Sequence, residues 1–348
     1  MSLLFFIDMK RKIALLIGAT FIIFSCGKDD VVTKTSPYSL IRPDYFPEIT
    51  YPLENNPITK EGFELGKKLF NDPRLSLDNS VACSNCHVKG VAFTDPQHNP
   101  SVGIFNQIGT RNAPMIANMA FQSEFLWDGG VSHLDFVPVF AIENQKEMGE
   151  ELHHVVYKLN KIPEYAPLFK AAFPGIDTIT SPYMLRAISQ YMLLLVSDKS
   201  KYDRVQKGED VFSASELTGK AVFDQKCAAC HSGALFTNYE YMNNGLDLVF
   251  MDVGRELISA LASDLGKFKV PSLRNIMLTA PYMHDGRFKT LDEVLEHYRS
   301  GVKLSSTLAT NLSNSGQLGI PLTDEEIEAI KIYLKTLTDY EFISNPIF

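Results

Sequence analysis

Apolar and polar residues alternate along the 348-residue chain in a way that separates three regions. The first is an unbroken apolar run, Ile13 to Phe24, preceded by Lys10-Arg11-Lys12. At about 12 residues the run is too short to cross a bilayer as a helix, but it fits the hydrophobic segment of an export signal. The second is the polar stretch Gly27 to Pro43, with Lys28-Asp29-Asp30 and several Ser and Thr, which reads as a flexible tether. In the third, apolar residues recur at helical spacing after Thr59 and after Ser215, which are the expected N-caps. A terminal helix is expected after Thr323, where Asp324, Glu325 and Glu326 occupy the first turn ahead of Ile327, Ile330, Ile332 and Leu334. No stretch alternates as a strand does, so the expected fold is mainly α, with long loops.

Composition narrows the picture. Hydrophobic residues make up 45% and charged residues 21%, enough apolar surface to rule out wholesale disorder. The formal charge of −8 argues against nucleic-acid binding, which needs a basic face. Five cysteines are an odd number and do not make a simple disulfide scaffold. One of them, Cys26, ends the stretch Ile23-Phe24-Ser25-Cys26-Gly27, which resembles a bacterial lipobox, with Phe24 bulkier than usual. The expectation is a signal peptide over residues 1–25, with Met9 as an alternative start, and a lipidated Cys26 followed by a tether over 26–44. A lipid anchor would then be the only membrane contact, and the protein would lie in the bacterial periplasm or cell envelope. Cleavage before Cys26 removes three cations and Asp8 and leaves a formal charge of −10.

The other four cysteines occur as Cys83-Ser84-Asn85-Cys86-His87 and Cys227-Ala228-Ala229-Cys230-His231. This is the c-type haem attachment pattern. Two thiols three positions apart on one helical turn reach the two vinyl groups of a porphyrin, and the following histidine turns its imidazole to the iron. A four-cysteine zinc site is the competing reading, but roughly 140 residues separate the pairs, against ~15–20 in zinc ribbons. Redox dithiols would not need a histidine after both pairs. Two covalently bound c-type haems are therefore expected, with His87 and His231 as proximal ligands. Gly66-Lys67-Lys68-Leu69-Phe70 leads into the first motif and Gly219-Lys220-Ala221-Val222-Phe223 into the second, so the chain reads as two tandem cytochrome c-like domains. The boundaries are 45–205 for the first and 206–348 for the second.

Function turns on the sixth ligand of each iron, since a closed shell carries electrons and an open one also binds peroxide or oxygen. From about Thr59 to Leu337 the sequence resembles the bacterial di-haem cytochrome c peroxidase family, including its MauG branch. The residues that carry the resemblance are Glu64 to Ser76, Arg111-Asn112-Ala113-Pro114, Phe125 to Gly129, Pro271 to Asn275, and Leu278 to Gly286. The resemblance implies that the first haem is the peroxide site and the second receives electrons. It implies that Trp127, the only tryptophan, bridges the haems, and that Glu147 is the proton-handling acid of the distal pocket. Splitting an O–O bond requires moving a proton from one oxygen to the other, which a partly desolvated carboxylate can do. Nearby Glu143, Glu150 and Glu151 are ordinary alternatives. A structural calcium ion at Asn112, Thr279 and Pro281 is implied as well.

Two positions depart from many family members. Ile104 stands where a histidine caps the first iron in those members, which implies a first haem that is already open; His98 is a distant substitute. At the second haem Tyr298 stands at the usual methionine position, as in the MauG branch, with Met283 and His297 as competing ligands. The expected function is reduction of hydrogen peroxide with electrons from a small cytochrome c-like donor protein. The alternatives are a MauG-like oxidase that modifies a partner protein and a non-enzymatic electron carrier. A homodimer stays open.

Overall fold

A computed structural model of the chain describes residues 36–314 and 316–348. The expected export signal, the expected lipidation at Cys26 and the start of the expected tether lie outside the described residues. Among the described residues the fold is helical, with long loops between helices. In order these are α1 (Lys60–Phe70), α2 (Cys83–Cys86), α3 (Val137–Glu143), α4 (Leu152–Lys161), α5 (Tyr165–Ala172), α6 (Ser181–Leu193), α7 (Lys201–Gln206), α8 (Ala214–Lys226), α9 (Glu256–Ser259), α10 (Leu291–Glu296), α11 (Asp324–Lys335) and α12 (Tyr340–Ser344). The strands are two residues long. β1 (Tyr241–Met242) pairs antiparallel with β2 (Phe268–Lys269), and β3 (Ser313–Asn314) with β4 (Gln317–Leu318).

Helix starts follow local chemistry. Thr59 Oγ1 accepts the Gly62 amide at 3.0 Å and starts α1. Thr323 and Glu326 form a reciprocal capping box at the start of α11. The cap of α8 is Ser213 rather than the expected Ser215: the Ser213 hydroxyl accepts the Glu216 amide and Glu216 Oε2 accepts the Ser213 amide at 2.6 Å. The box joins residues three positions apart, and only Ser213 has that spacing to Glu216.

Two helix pairs are built alike. A Cβ on Gly66 of α1 would come within 1.9 Å of the Ala187 carbonyl oxygen on α6 and 3.0 Å of Tyr191 Cβ. On Gly219 of α8 it would meet the Ala329 carbonyl oxygen of α11 at 2.1 Å and Tyr333 Cβ at 2.9 Å. In both places the missing side chain lets backbones touch, which draws α1 onto α6 and α8 onto α11. Each pair centres a hydrophobic core. The first contains Phe63, Leu69, Phe70 and Tyr191, and the second Phe223, Ile330, Tyr333 and Leu334.

The chain crosses between these lobes more than once. Tyr38 packs edge-on against Phe63, so the stretch expected to be tether up to residue 44 lies along the first core from Tyr38 onward. At the other end Phe342 of α12 is buried in the same first core, with Ile347 and Phe348 packed beside it. Where the lobes join, Arg274 and Asp203 form a fully buried ion pair. The guanidinium donates to Asp203 Oδ1 and Oδ2 at 2.7 and 2.9 Å, to the Ala234 carbonyl and to the Ser197 carbonyl. Such a pair is tolerated in the interior because its hydrogen-bonding groups are occupied.

Candidate di-haem site

Each cysteine pair sits on a single turn: Cys83 and Cys86 lie on α2, a loop beyond the end of α1, and Cys227 and Cys230 directly follow the end of α8. All four thiols are free. Burial pushes the Cys83, Cys86 and Cys227 thiols up. His87 Nδ1 lies 2.9 Å from the Phe93 carbonyl oxygen, and the Pro114 carbonyl also faces the ring. His231 repeats the arrangement with Phe236, at 3.2 Å, and Pro271. Burial lowers both imidazoles, His231 to about 4, so both are neutral. A neutral imidazole with Nδ1 tied to a carbonyl offers Nε2 as a metal ligand.

The second pair opens into a cavity of about 240 Å³, whose walls include Cys227, Cys230, His231, Met283, Tyr298 and Trp127. Protein interiors do not normally keep voids of this size. A mostly apolar wall with two thiols and an imidazole suits a covalently held porphyrin, so the residues fit a c-type haem. Tyr298 lies on a π-helical turn, residues His297–Gly301, that continues α10. Turns of this kind gather at functional sites. Here the turn sends Tyr298 into the cavity, while the His297 imidazole, Nε2 3.0 Å from the Asn244 carbonyl, is outside its wall. Burial pushes the Tyr298 hydroxyl up to about 12, against a hydrogen bond from Asn244 that acts the other way.

Around the first pair the geometry differs. Ile104 is buried and its amide donates to the Glu147 carbonyl at 2.8 Å. Gly103 is needed there, since a Cβ would come within 2.2 Å of the Lys146 carbonyl oxygen and 2.5 Å of that of Glu147. The loop carrying Ile104 is thereby laid on the backbone of Glu147. The Glu147 carboxyl is close enough to Cys83 and Cys86 to perturb both thiols. Burial raises its own pKa, despite a hydrogen bond from Asn144 Nδ2 to Oε1 at 2.8 Å. Its neighbours behave otherwise. Burial pushes Glu150 up too, but bonds from Lys158 and His154 outweigh this and hold it low. Glu143 accepts the Leu152 amide and Glu151 is exposed. His98 is turned to Asp95, with Nδ1 3.4 Å from Oδ2.

Trp127 stands in the wall of the second cavity. Its Nε1 donates to the Asn112 carbonyl at 2.8 Å, and its carbonyl accepts the Lys269 amide at 2.7 Å. Asn112 continues the chain: its amide N–H donates to the His284 carbonyl and its Nδ2 to the Pro281 carbonyl, at 2.7 and 2.6 Å. Asn112 and Pro281 are thus in contact, but through an N–H, and the Thr279 hydroxyl is turned to the Ile276 carbonyl at 3.4 Å. An oxygen-only calcium shell would need the Asn112 amide reversed. Sequence reasoning missed Asn244, Asn144 and Lys269; each approaches its partner through the fold or through an unremarkable local turn.

Two cytochrome c attachment motifs on twinned helix pairs define a di-haem c-type cytochrome. The family model described as di-haem cytochrome c peroxidase matches residues 60–211, and the cytochrome c model matches 217–338. The chain is 32% identical to the methylamine utilization protein MauG of Methylorubrum extorquens, over 81% of this chain and 79% of that protein. It is 33% identical to cytochrome c551 peroxidase of Pseudomonas aeruginosa, over 84% and 83%. Among solved structures, a MauG-like protein associated with microbial copper homeostasis superposes with a TM-score of 0.80 at 30% identity, over 89% of this chain and 98% of that one. The chain belongs to the di-haem cytochrome c peroxidase family, which includes the MauG proteins, and that family implies two c-type haems.

Proposed function

We propose that the protein reduces hydrogen peroxide to two waters, taking two electrons from a small cytochrome c-like donor and two protons from solvent. The observation that carries this reading is the asymmetry between the two sides: a buried aliphatic residue beside a partly desolvated acid in the first lobe, and a phenol in the cavity of the second. Cys83, Cys86 and His87 would hold the first haem, and Cys227, Cys230, His231 and Tyr298 the second. When bound, the haem irons supply the redox chemistry.

The side chains do the rest. Ile104 has no atom that can ligate a metal, so it leaves the distal face of the first site to peroxide. Glu147 takes the proton from one peroxide oxygen and gives it to the other; a raised pKa suits both tasks. Trp127, fixed at both its indole nitrogen and its carbonyl, carries electrons between the sites. Tyr298 closes the second site and, as an anionic oxygen ligand, favours the ferric state. A calcium ion at Asn112, Thr279 and Pro281, with the amide reversed, would tie the loops beside Trp127. Export and a lipid anchor at Cys26 would place this chemistry in the periplasm or cell envelope, and the acidic surface would steer a basic donor.

The test is the all-ferric holoprotein. A high-spin signal and reaction with peroxide within seconds are expected; a wholly low-spin, peroxide-inert protein would leave only an electron carrier. A second reading, a MauG-like oxidase acting on a partner protein, draws support from Tyr298 and Ile104. Fast steady-state oxidation of a reduced cytochrome favours the peroxidase, and its absence alongside peroxide reactivity favours the oxidase.

A further inference from the structure

Among the described residues, Asn244 approaches all three groups competing for the second iron. Its Nδ2 donates to Met283 Sδ at 3.3 Å, its carbonyl accepts from His297 Nε2 at 3.0 Å, and its side chain is close enough to Tyr298 to act on the hydroxyl. The amide stands in the cavity wall with Met283 and Tyr298. Its backbone is clamped on both sides. Asn243 is buried and donates to Ser305 Oγ and Thr307 Oγ1 at 3.0 and 2.9 Å, and the Gly245 carbonyl accepts the Lys303 amide at 2.9 Å. Gly245 adopts a φ of +72°, and a Cβ there would come within 2.7 Å of Val302 Cγ1. The direction in which Asn244 presents its amide is therefore set by the surrounding loops.

We propose that Asn244 is a positioning residue that makes Tyr298, rather than Met283, the sixth ligand of the second haem iron. The inference rests on the assignment of Tyr298 proposed above. An asparagine amide has two N–H donors. One occupies the Met283 sulfur, a weak acceptor, and holds it on the amide. The other serves the Tyr298 oxygen, where a hydrogen bond grows stronger as the oxygen becomes anionic. Outer partners of this kind orient ligands and tune the metal they hold. The His297 contact works in the same direction, because the Asn244 carbonyl keeps that imidazole out of the cavity.

The experiment uses the holoprotein and reads the ferric absorption and paramagnetic resonance spectra and the midpoint potential of the second haem. Asn244→Leu keeps the volume and removes both donors. It is expected to deplete the tyrosinate-ligated species in favour of a thioether-ligated one and to raise the potential, while Met283→Leu alone changes neither. Combining Asn244→Leu with Met283→Leu should abolish the rise. If Asn244→Leu leaves spectra and potential as in the parent while Tyr298→Phe alters both, the inference is overturned and the Tyr298 assignment stands. If Tyr298→Phe alters neither, the Tyr298 assignment fails and takes the inference with it. Should the leucine variant bind less than two haems per chain, the smaller and uncharged Asn244→Ala carries the same test, with the same expected rise and the same overturning result.

Discussion

In the first lobe Gly66 brings α1 against the Ala187 carbonyl of α6, and in the second Gly219 brings α8 against the Ala329 carbonyl of α11. Each crossing leads into a thiol pair, and each following histidine rests on a phenylalanine carbonyl and a proline carbonyl. On the opposite side the likeness ends. One lobe lays an isoleucine loop over a glutamate, and the other extends a helix by a π turn that delivers a tyrosine. One scaffold used twice keeps what holds a cofactor and changes what reacts. The two lobes differ in a few side chains carried by loops and turns, over crossings that are built alike.

The comparison can be broken most severely at Ile104. Ile104→His should give the first lobe a ligand of its own: the high-spin ferric signal should turn low-spin and the reaction of the ferric protein with peroxide should all but disappear in stopped-flow traces. Glu147→Gln should lower peroxide turnover by about 10²–10⁴-fold, the usual contribution of a positioned acid–base group, with both haems still bound. Near-normal turnover would place the base elsewhere. On the shared scaffold, Gly66→Ala and Gly219→Ala should each destabilise by about 1–3 kcal/mol through overpacking, read by denaturant melts. Each should loosen haem retention mainly in its own lobe. The smallest effect is in the pH profile. Burial raises the Glu147 pKa, and the ionised form is the proton acceptor. Turnover should therefore fall with decreasing pH at values above the ordinary glutamate range, and Glu147→Gln should lack that limb.

Much of the scaffold was readable in the sequence because its signals are local. The two attachment motifs and the Thr59 and Thr323 caps lie within a few residues of what they control, and the repeated glycine ahead of each motif is visible as a pattern. Ser213 was readable too, since Glu216 stands at the capping-box spacing, but Ser215 lies nearer the apolar run. What a glycine approaches was not readable: Gly66 and Gly219 meet carbonyls more than 100 residues away. The same holds for Arg274, whose motif was evident and whose partner Asp203 was not. Among four neighbouring glutamates, only folding distinguishes Glu147, through burial without a cation, from Glu150, which is held by Lys158 and His154. Asn244 carried no local signal at all, because its role depends on bringing together loops 39 and 53 residues away.

Residues 340–348 complete the lobe at the other end of the chain. Phe342 fills the core of the lobe that carries the first cysteine pair, while Lys67 and Lys89 grip the carbonyls of Ile347, Asn345 and Phe348. The interior of the first lobe is thus completed by residues more than 250 positions downstream of its own cysteine pair. A frameshift or a protease cut near residue 340 would strike the front of the molecule, about 250 residues upstream, and spare the half in which the damage lies.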